Sequence, residues 1–256
     1  MRAVKGKNLL FALAGLCVGF LIGFALANSL GVRPRPVPDQ PVGPATRDAG
    51  LLSREEIERA VARADAEPDN VELQRSLGRA LHLYSVETNS PEALAAAIRL
   101  LRRAHDIGAD QTDDLLALAN ALFDSGRLYD RAQLAEARSL YQRVLARKPN
   151  DAELIARVGW TFYFERPPKI AEAERAFRSA LEAAPTQESA LQGMIVALIA
   201  AEDFERAQKY LTELERANRL NPALPDLRAL WEVRRNRSAE RRATASLDSA
   251  NDTRTR

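Results

Sequence analysis

Asp151 to Pro185 reads DAELIARVGWTFYFERPPKIAEAERAFRSALEAAP, and the placing of small, bulky and proline residues in it decides the fold. A large–small pair, Val158-Gly159, stands in a first helical stretch, and Ala173, Phe177 and Ala180 stand at helical spacing in a second. Pro167-Pro168 separates the two, because consecutive prolines cannot sit inside a helix, and Pro185 closes the unit. The stretch therefore encodes two helices packed as a pair, with glycine where one must approach the other closely.

The same frame recurs on either side. Upstream, Leu77-Gly78 goes with Ala97, Leu101 and Ala104, and Ser90-Pro91 supplies an N-cap and first-turn proline. Next, Leu118-Ala119 goes with Ala137, Tyr141 and Val144, closing at Pro149. Downstream, Met194 leads to Phe204, Ala207 and Leu211, with Pro222 arriving late and Ile195 where a small residue is usual. The first two units also carry extra residues between their helices. Four units on one frame resemble the tetratricopeptide repeat, including its closing proline in Lys148-Pro149-Asn150-Asp151 and Asn221-Pro222. The expected class is all-α, a tetratricopeptide-repeat solenoid of about four helix pairs plus flanking helices, preceded by one transmembrane helix. Repeats are expected at about 71–110, 112–150, 152–186 and 188–222, within a repeat domain over 51–235.

The flanks are legible too. Ser53 can cap a helix that Glu56 reciprocates, and Pro68-Asp69-Asn70 ends it. After Pro222 and Pro225, Leu227, Leu230 and Trp231 mark a capping helix over 223–240, and the polar composition of 241–256 predicts a disordered tail.

The N-terminus is of another kind. A short basic stretch over 1–8 precedes an uncharged apolar run, Leu9 to Ala27, long enough to cross about 30 Å of hydrocarbon at about 1.5 Å per residue, so a transmembrane helix is expected over 9–30. A cleaved signal peptide competes, since Arg2, Lys5 and Lys7 form a basic n-region and Ala25-Leu26-Ala27 has the small-x-small form of a cleavage site. Gly15, Gly19 and Gly23 recur every fourth residue, a smooth face on which a homodimer could pack, although glycine is common in membrane helices anyway. Pro34, Pro36, Pro38, Pro41 and Pro44 make 31–50 a spacer, able to extend up to roughly 60 Å. This architecture leads to an expected location in a bacterial inner membrane, single-pass, with the repeats facing the periplasm.

Composition removes several function classes. Thirty-seven basic residues against thirty-five acidic ones leave a charge of +2, too little to imply nucleic acid as partner. Cys17 is the single cysteine, so neither a CxxC pair nor a thiolate metal cluster can form. His82 and His105 have no neighbouring carboxylate or cysteine in a metal spacing, and no phosphate loop, GxSxG elbow or HExxH pair occurs. No enzyme activity, cofactor or metal is expected.

Binding is the expected activity. Concave surfaces of repeat arrays receive peptides, and the groove-facing positions of the frame select Arg75, Arg79 and His82, then Asn120 and Phe123, then Trp160, Tyr163 and Phe164, then Gln192 and Val196. Trp160, Tyr163 and Phe164 share one helical face, an aromatic platform suited to an amphipathic helix or an acidic tail; the alternative is that they are core. The order of segments, membrane helix, linker, the helix ending Ala66-Glu67-Pro68-Asp69-Asn70 and the repeats, resembles over about 51–222 the tetratricopeptide-domain proteins of bacterial cytochrome c maturation. That resemblance implies a chaperone that presents apocytochrome c as client. The alternative is a non-catalytic scaffold for another envelope, secretion or pilus complex.

Overall fold

The computed structural model describes residues 53–108 and 110–254, and their regular structure is helical throughout. The helices are α1 (Arg54–Ala66), α2 (Val71–Thr88), α3 (Pro91–Asp106), α4 (Thr112–Leu128), α5 (Gln133–Leu145), α6 (Ala152–Tyr163), α7 (Ile170–Ala183), α8 (Glu188–Ala200), α9 (Phe204–Ala217) and α10 (Leu224–Arg254). Local chemistry sets their starts. Ser53 Oγ accepts from the Glu56 amide at 3.2 Å while Glu56 Oε2 accepts from the Ser53 amide at 2.8 Å, a complete capping box. Asn70, Ser90, Asp151, Gln187 and Asp203 cap α2, α3, α6, α8 and α9 through their side chains.

The chain divides into two compact units, with the boundary inside α4 between Ala121 and Leu122. In the first, α2 and α3 form the expected pair, and α1 packs on α2. A β-carbon at Gly78 would lie 2.7 Å from Leu101 Cγ, so glycine is what lets these helices meet. Gln74 is buried, and its amide nitrogen donates to the carbonyls of Ala64 at 2.6 Å and Glu67 at 2.9 Å, satisfying groups that the end of α1 leaves unpaired. Asp65 of α1 receives both Arg99 and Arg103 of α3, and the Arg99 guanidinium holds its carboxyl below the usual range.

In the second unit α6, α7, α8 and α9 stack in succession and α10 packs on α8 and α9. Phe177 of α7 is fully buried between two glycines: a β-carbon at Gly159 of α6 would fall 2.6 Å from its ring, and one at Gly193 of α8 would fall closer still. Gly193 thus supplies the close approach in the unit where Ile195 departs from the usual small residue, and Ile195 itself is buried. Leu224 and Leu227 of α10 are buried, and Trp231 Nε1 donates to the Phe204 carbonyl at 2.8 Å, so this helix caps the last pair. Beyond the cap α10 continues as helix to Arg254, where sequence polarity predicted a tail; Ser238 Oγ donates to Glu202 Oε2 at 2.6 Å and helps hold it.

The fold class needs one correction. No helix among the described residues is long and apolar enough to cross a membrane. The 31-residue α10 has the length but carries Arg234, Arg235, Arg237, Arg241 and Arg242, and the others are too short or too polar. The transmembrane helix over 9–30, with Gly15, Gly19 and Gly23, and the spacer over 31–50 lie outside the described residues. No described helix therefore carries the expected transmembrane component or supports the inner-membrane location, and the described residues form an all-α array of helix pairs.

Two outcomes test this packing. Gly159→Ala should lower unfolding free energy by about 1–2 kcal/mol in a denaturant titration, because overpacking against a ring that cannot retreat outweighs the gain in helix propensity of about 1 kcal/mol. An unchanged midpoint would mean the pair is looser than described. In the second test, Arg206 hydrogen-bonds Glu174 at 2.8 Å and, with Arg178 and against the opposing effect of burial, lowers its carboxyl pKa. A depressed folded pKa gives stability that is complete above the unfolded value, near 4.5, and is lost as pH falls through the folded one. Glu174→Gln should reduce the melting temperature at pH 7 and flatten its decline below about pH 4.5.

Candidate functional site

The predicted groove residues fall into two groups, one in each unit. Arg75 and Arg79 lie one turn apart on α2 and converge on Asp114 of α4, which is buried: Arg79 Nη2 is 2.6 Å from Asp114 Oδ1 and Arg75 Nε is 3.4 Å from the same oxygen. Arg75 also lies 3.4 Å from Glu72. These guanidiniums join α2 to α4 and are already neutralised. His82 on α2 and Asn120 on α4 are half-buried and each has a partner of its own.

The second unit gathers the aromatics. Trp160 of α6 and Phe164, the C-cap residue one turn on, stack at 5.5 Å with planes 20° apart, and Phe123 of α4 meets Phe164 edge-on at 6.1 Å. Trp160 also meets the core, its ring 5.3 Å from Phe177, and its indole N–H donates to Ser189 Oγ at 3.0 Å. Its other side faces out. Phe123, Trp160 and Phe164 floor a pocket of about 250 Å³ whose remaining wall is Arg127, Glu153, Arg157 and Ser189. Trp160 and Phe164 are thus half-buried, while Phe123 is buried.

Tyr163 turns away from this pocket. With Val196, Ile199, Leu230 and Arg234 it lines a second one of about 210 Å³ beside α10; burial raises its phenol pKa, opposed by the charge of Arg234. Gln192 donates to Asn221 Oδ1 at 3.1 Å, tying α8 to the turn before α10.

Sequence reasoning missed Arg127, Glu153, Arg157 and Ser189. A signal existed for three of them: Glu153, Arg157, Trp160 and Phe164 form one stripe at i, i+4, i+7 and i+11 of α6, and Arg127 follows Phe123 by one turn. Ser189 comes from α8 and carries no such signal. Among the described residues, no cluster of three or more His, Cys, Asp or Glu side chains is arranged to hold a metal ion.

Paired helices meeting through small residues, repeated along the chain and closed by a capping helix, define a tetratricopeptide-type fold. Solved structures agree: YrrB, a TPR protein with an unusual peptide-binding site, superimposes with a TM-score of 0.52 at 19% identity over 68% of this chain and 84% of its own. MamA superimposes with a TM-score of 0.50 at 16% identity over 78% of this chain and 93% of its own, and a MamA RS-1 double mutant with 0.51 at 15% identity over 66% and 86%. At these identities the likeness is one of fold. No protein-family model and no curated protein sequence matches the chain.

Asp114 holds Arg75 and Arg79 together. Asp114→Asn should cost about 1–3 kcal/mol of stability in chemical denaturation, because two half-buried cations lose the carboxylate between them. A change under about 0.5 kcal/mol would show both arginines to be solvated and available to a ligand.

Proposed function

We infer that this protein is a protein-binding module and that its second unit holds a peptide segment on the aromatic floor of Phe123, Trp160 and Phe164. The observation carrying this is the pocket of about 250 Å³ formed by residues from α4, α6 and α8, the helices that open successive pairs. Concave faces of repeat arrays are built from these helices, and a half-buried Trp such as Trp160 is a side chain that anchors protein interfaces. YrrB, which shares the fold and has a peptide-binding site, supports the same use. The pocket lies below the roughly 300–1,000 Å³ typical of small-molecule sites, which favours an anchoring side chain over a cofactor.

The client to test first is an apocytochrome c, the partner that the resemblance to the tetratricopeptide-domain proteins of cytochrome c maturation implies. Haem-free, reduced cytochrome c titrated into the full chain should bind with micromolar affinity. Trp160→Ala should weaken binding at least about tenfold while the melting curve stays cooperative, as expected for an interface anchor. Undiminished binding by Trp160→Ala would remove the pocket from the interface, and absence of binding would remove apocytochrome c as client.

A further inference from the structure

The polar groups around the aromatic pocket narrow what it can hold. The indole N–H of Trp160 is spent on Ser189 Oγ, so the floor presents ring faces and suits an apolar side chain with no polar group to bury. The mouth is unevenly charged. Arg157 is committed: it lies 3.1 Å from Glu153, which also accepts from Gln187 Nε2, and it reaches the Tyr141 hydroxyl. Arg131 stands 6.0 Å above the Phe164 ring and donates to the last carbonyls of α4, those of Gly126 and Arg127. Arg127 is different. Its side chain is 40% exposed and, among the described residues, meets the Asp124 carboxylate alone, at a loose 3.5 Å. Of the charged side chains that line the pocket, two guanidiniums, Arg127 and Arg157, thus stand against one carboxylate, Glu153, beside a neutral aromatic floor.

We propose that the pocket recognises a polypeptide segment in which an apolar side chain is followed within about two residues by a carboxylate, the first seated on Trp160 and Phe164 and the second held by Arg127. The proposal rests on the protein-binding reading above and adds the chemistry of the partner. Arg127 lies in the last turn of α4, where a cation also complements the helix dipole, but that role needs neither exposure nor an aromatic neighbour. A planar guanidinium with free donors takes a carboxylate through two parallel hydrogen bonds, and a cationic segment would meet a net positive rim.

The test uses the full chain carrying Trp231→Phe, so that Trp160 is its only tryptophan and reports the pocket by fluorescence. The probes are blocked peptides on a Gly-Ser frame carrying Leu-Gly-Asp, Leu-Gly-Asn, Leu-Gly-Lys or Ser-Gly-Asp. The Leu-Gly-Asp peptide should shift Trp160 emission with saturation, Leu-Gly-Lys should bind at least about tenfold more weakly, and Ser-Gly-Asp should give no saturable change. Arg127→Glu should invert the preference, so that Leu-Gly-Lys binds better. If that variant unfolds, Arg127→Gln serves instead and should erase the difference between the Asp and Asn peptides. Equal binding of the Asp and Lys peptides, or an Asp preference that persists without Arg127, overturns the proposal. So does silence of Trp160 towards every peptide while the chain still captures a protein partner in a Trp160-dependent way, an outcome that leaves the binding module standing. Loss of all protein capture would instead sink the module itself.

Discussion

The second unit depends on how closely helices can approach the ring of Phe177. Gly159 on one side and Gly193 on the other remove the side chains that would hold α6 and α8 away, and Trp160 closes the space left over. With the ring immobilised, α6 has one rotational setting, and that setting puts Trp160 half in the core and half at the surface. The pocket is a by-product of the same packing that holds the pairs together. A looser core would leave the indole free to turn, and the stacked pair it makes with Phe164 would lose its fixed geometry.

Several charges tie one helix to another. Arg99 and Arg103 reach Asp65, Arg75 and Arg79 reach Asp114, and Arg206 reaches Glu174, each joining separate helices, while Arg138 reaches Glu165 in the loop after α6. Single pairs of this kind contribute modestly when partly exposed, and their value lies in fixing register between neighbours whose apolar contacts tolerate sliding. The small net charge of +2 hides this internal accounting. It also explains why basic residues at groove positions of the first pair are poor candidates for reading an anion: their charge is met inside the protein.

Much of the fold was legible because small residues in a repeat have one physical use. Gly78 and Gly159 were expected to admit a neighbouring helix, and each does, against Leu101 and Phe177. The capping box at Ser53 and Glu56 and the cap by Leu227 and Trp231 were equally readable, since they depend on local spacing. The site was legible only in part. Phe123, Trp160 and Phe164 come together around one pocket, while Tyr163 turns towards Val196 and Arg234, and Gln192 is spent on Asn221. A helical wheel places side chains on a face but is silent about which neighbour that face meets. The membrane assignment gains no support from the helices: it rested on an apolar run beyond the described residues, and no described helix joins length to apolarity.

By itself the sequence determined the helical periodicity, the pairing of helices through glycine and alanine, and the absence of local catalytic motifs, because each is set by residues within a turn or two of one another. Tertiary structure decided which charges are spent and which stay available. Asp114 stands 35 residues from Arg79, and Ser189 stands 29 from Trp160, so no local pattern joins them. Arg75 and Arg127 look alike as letters in amphipathic helices. Only packing sets the first beside a buried carboxylate and the second beside an aromatic pocket, where burial and geometry fix what each guanidinium can still bind.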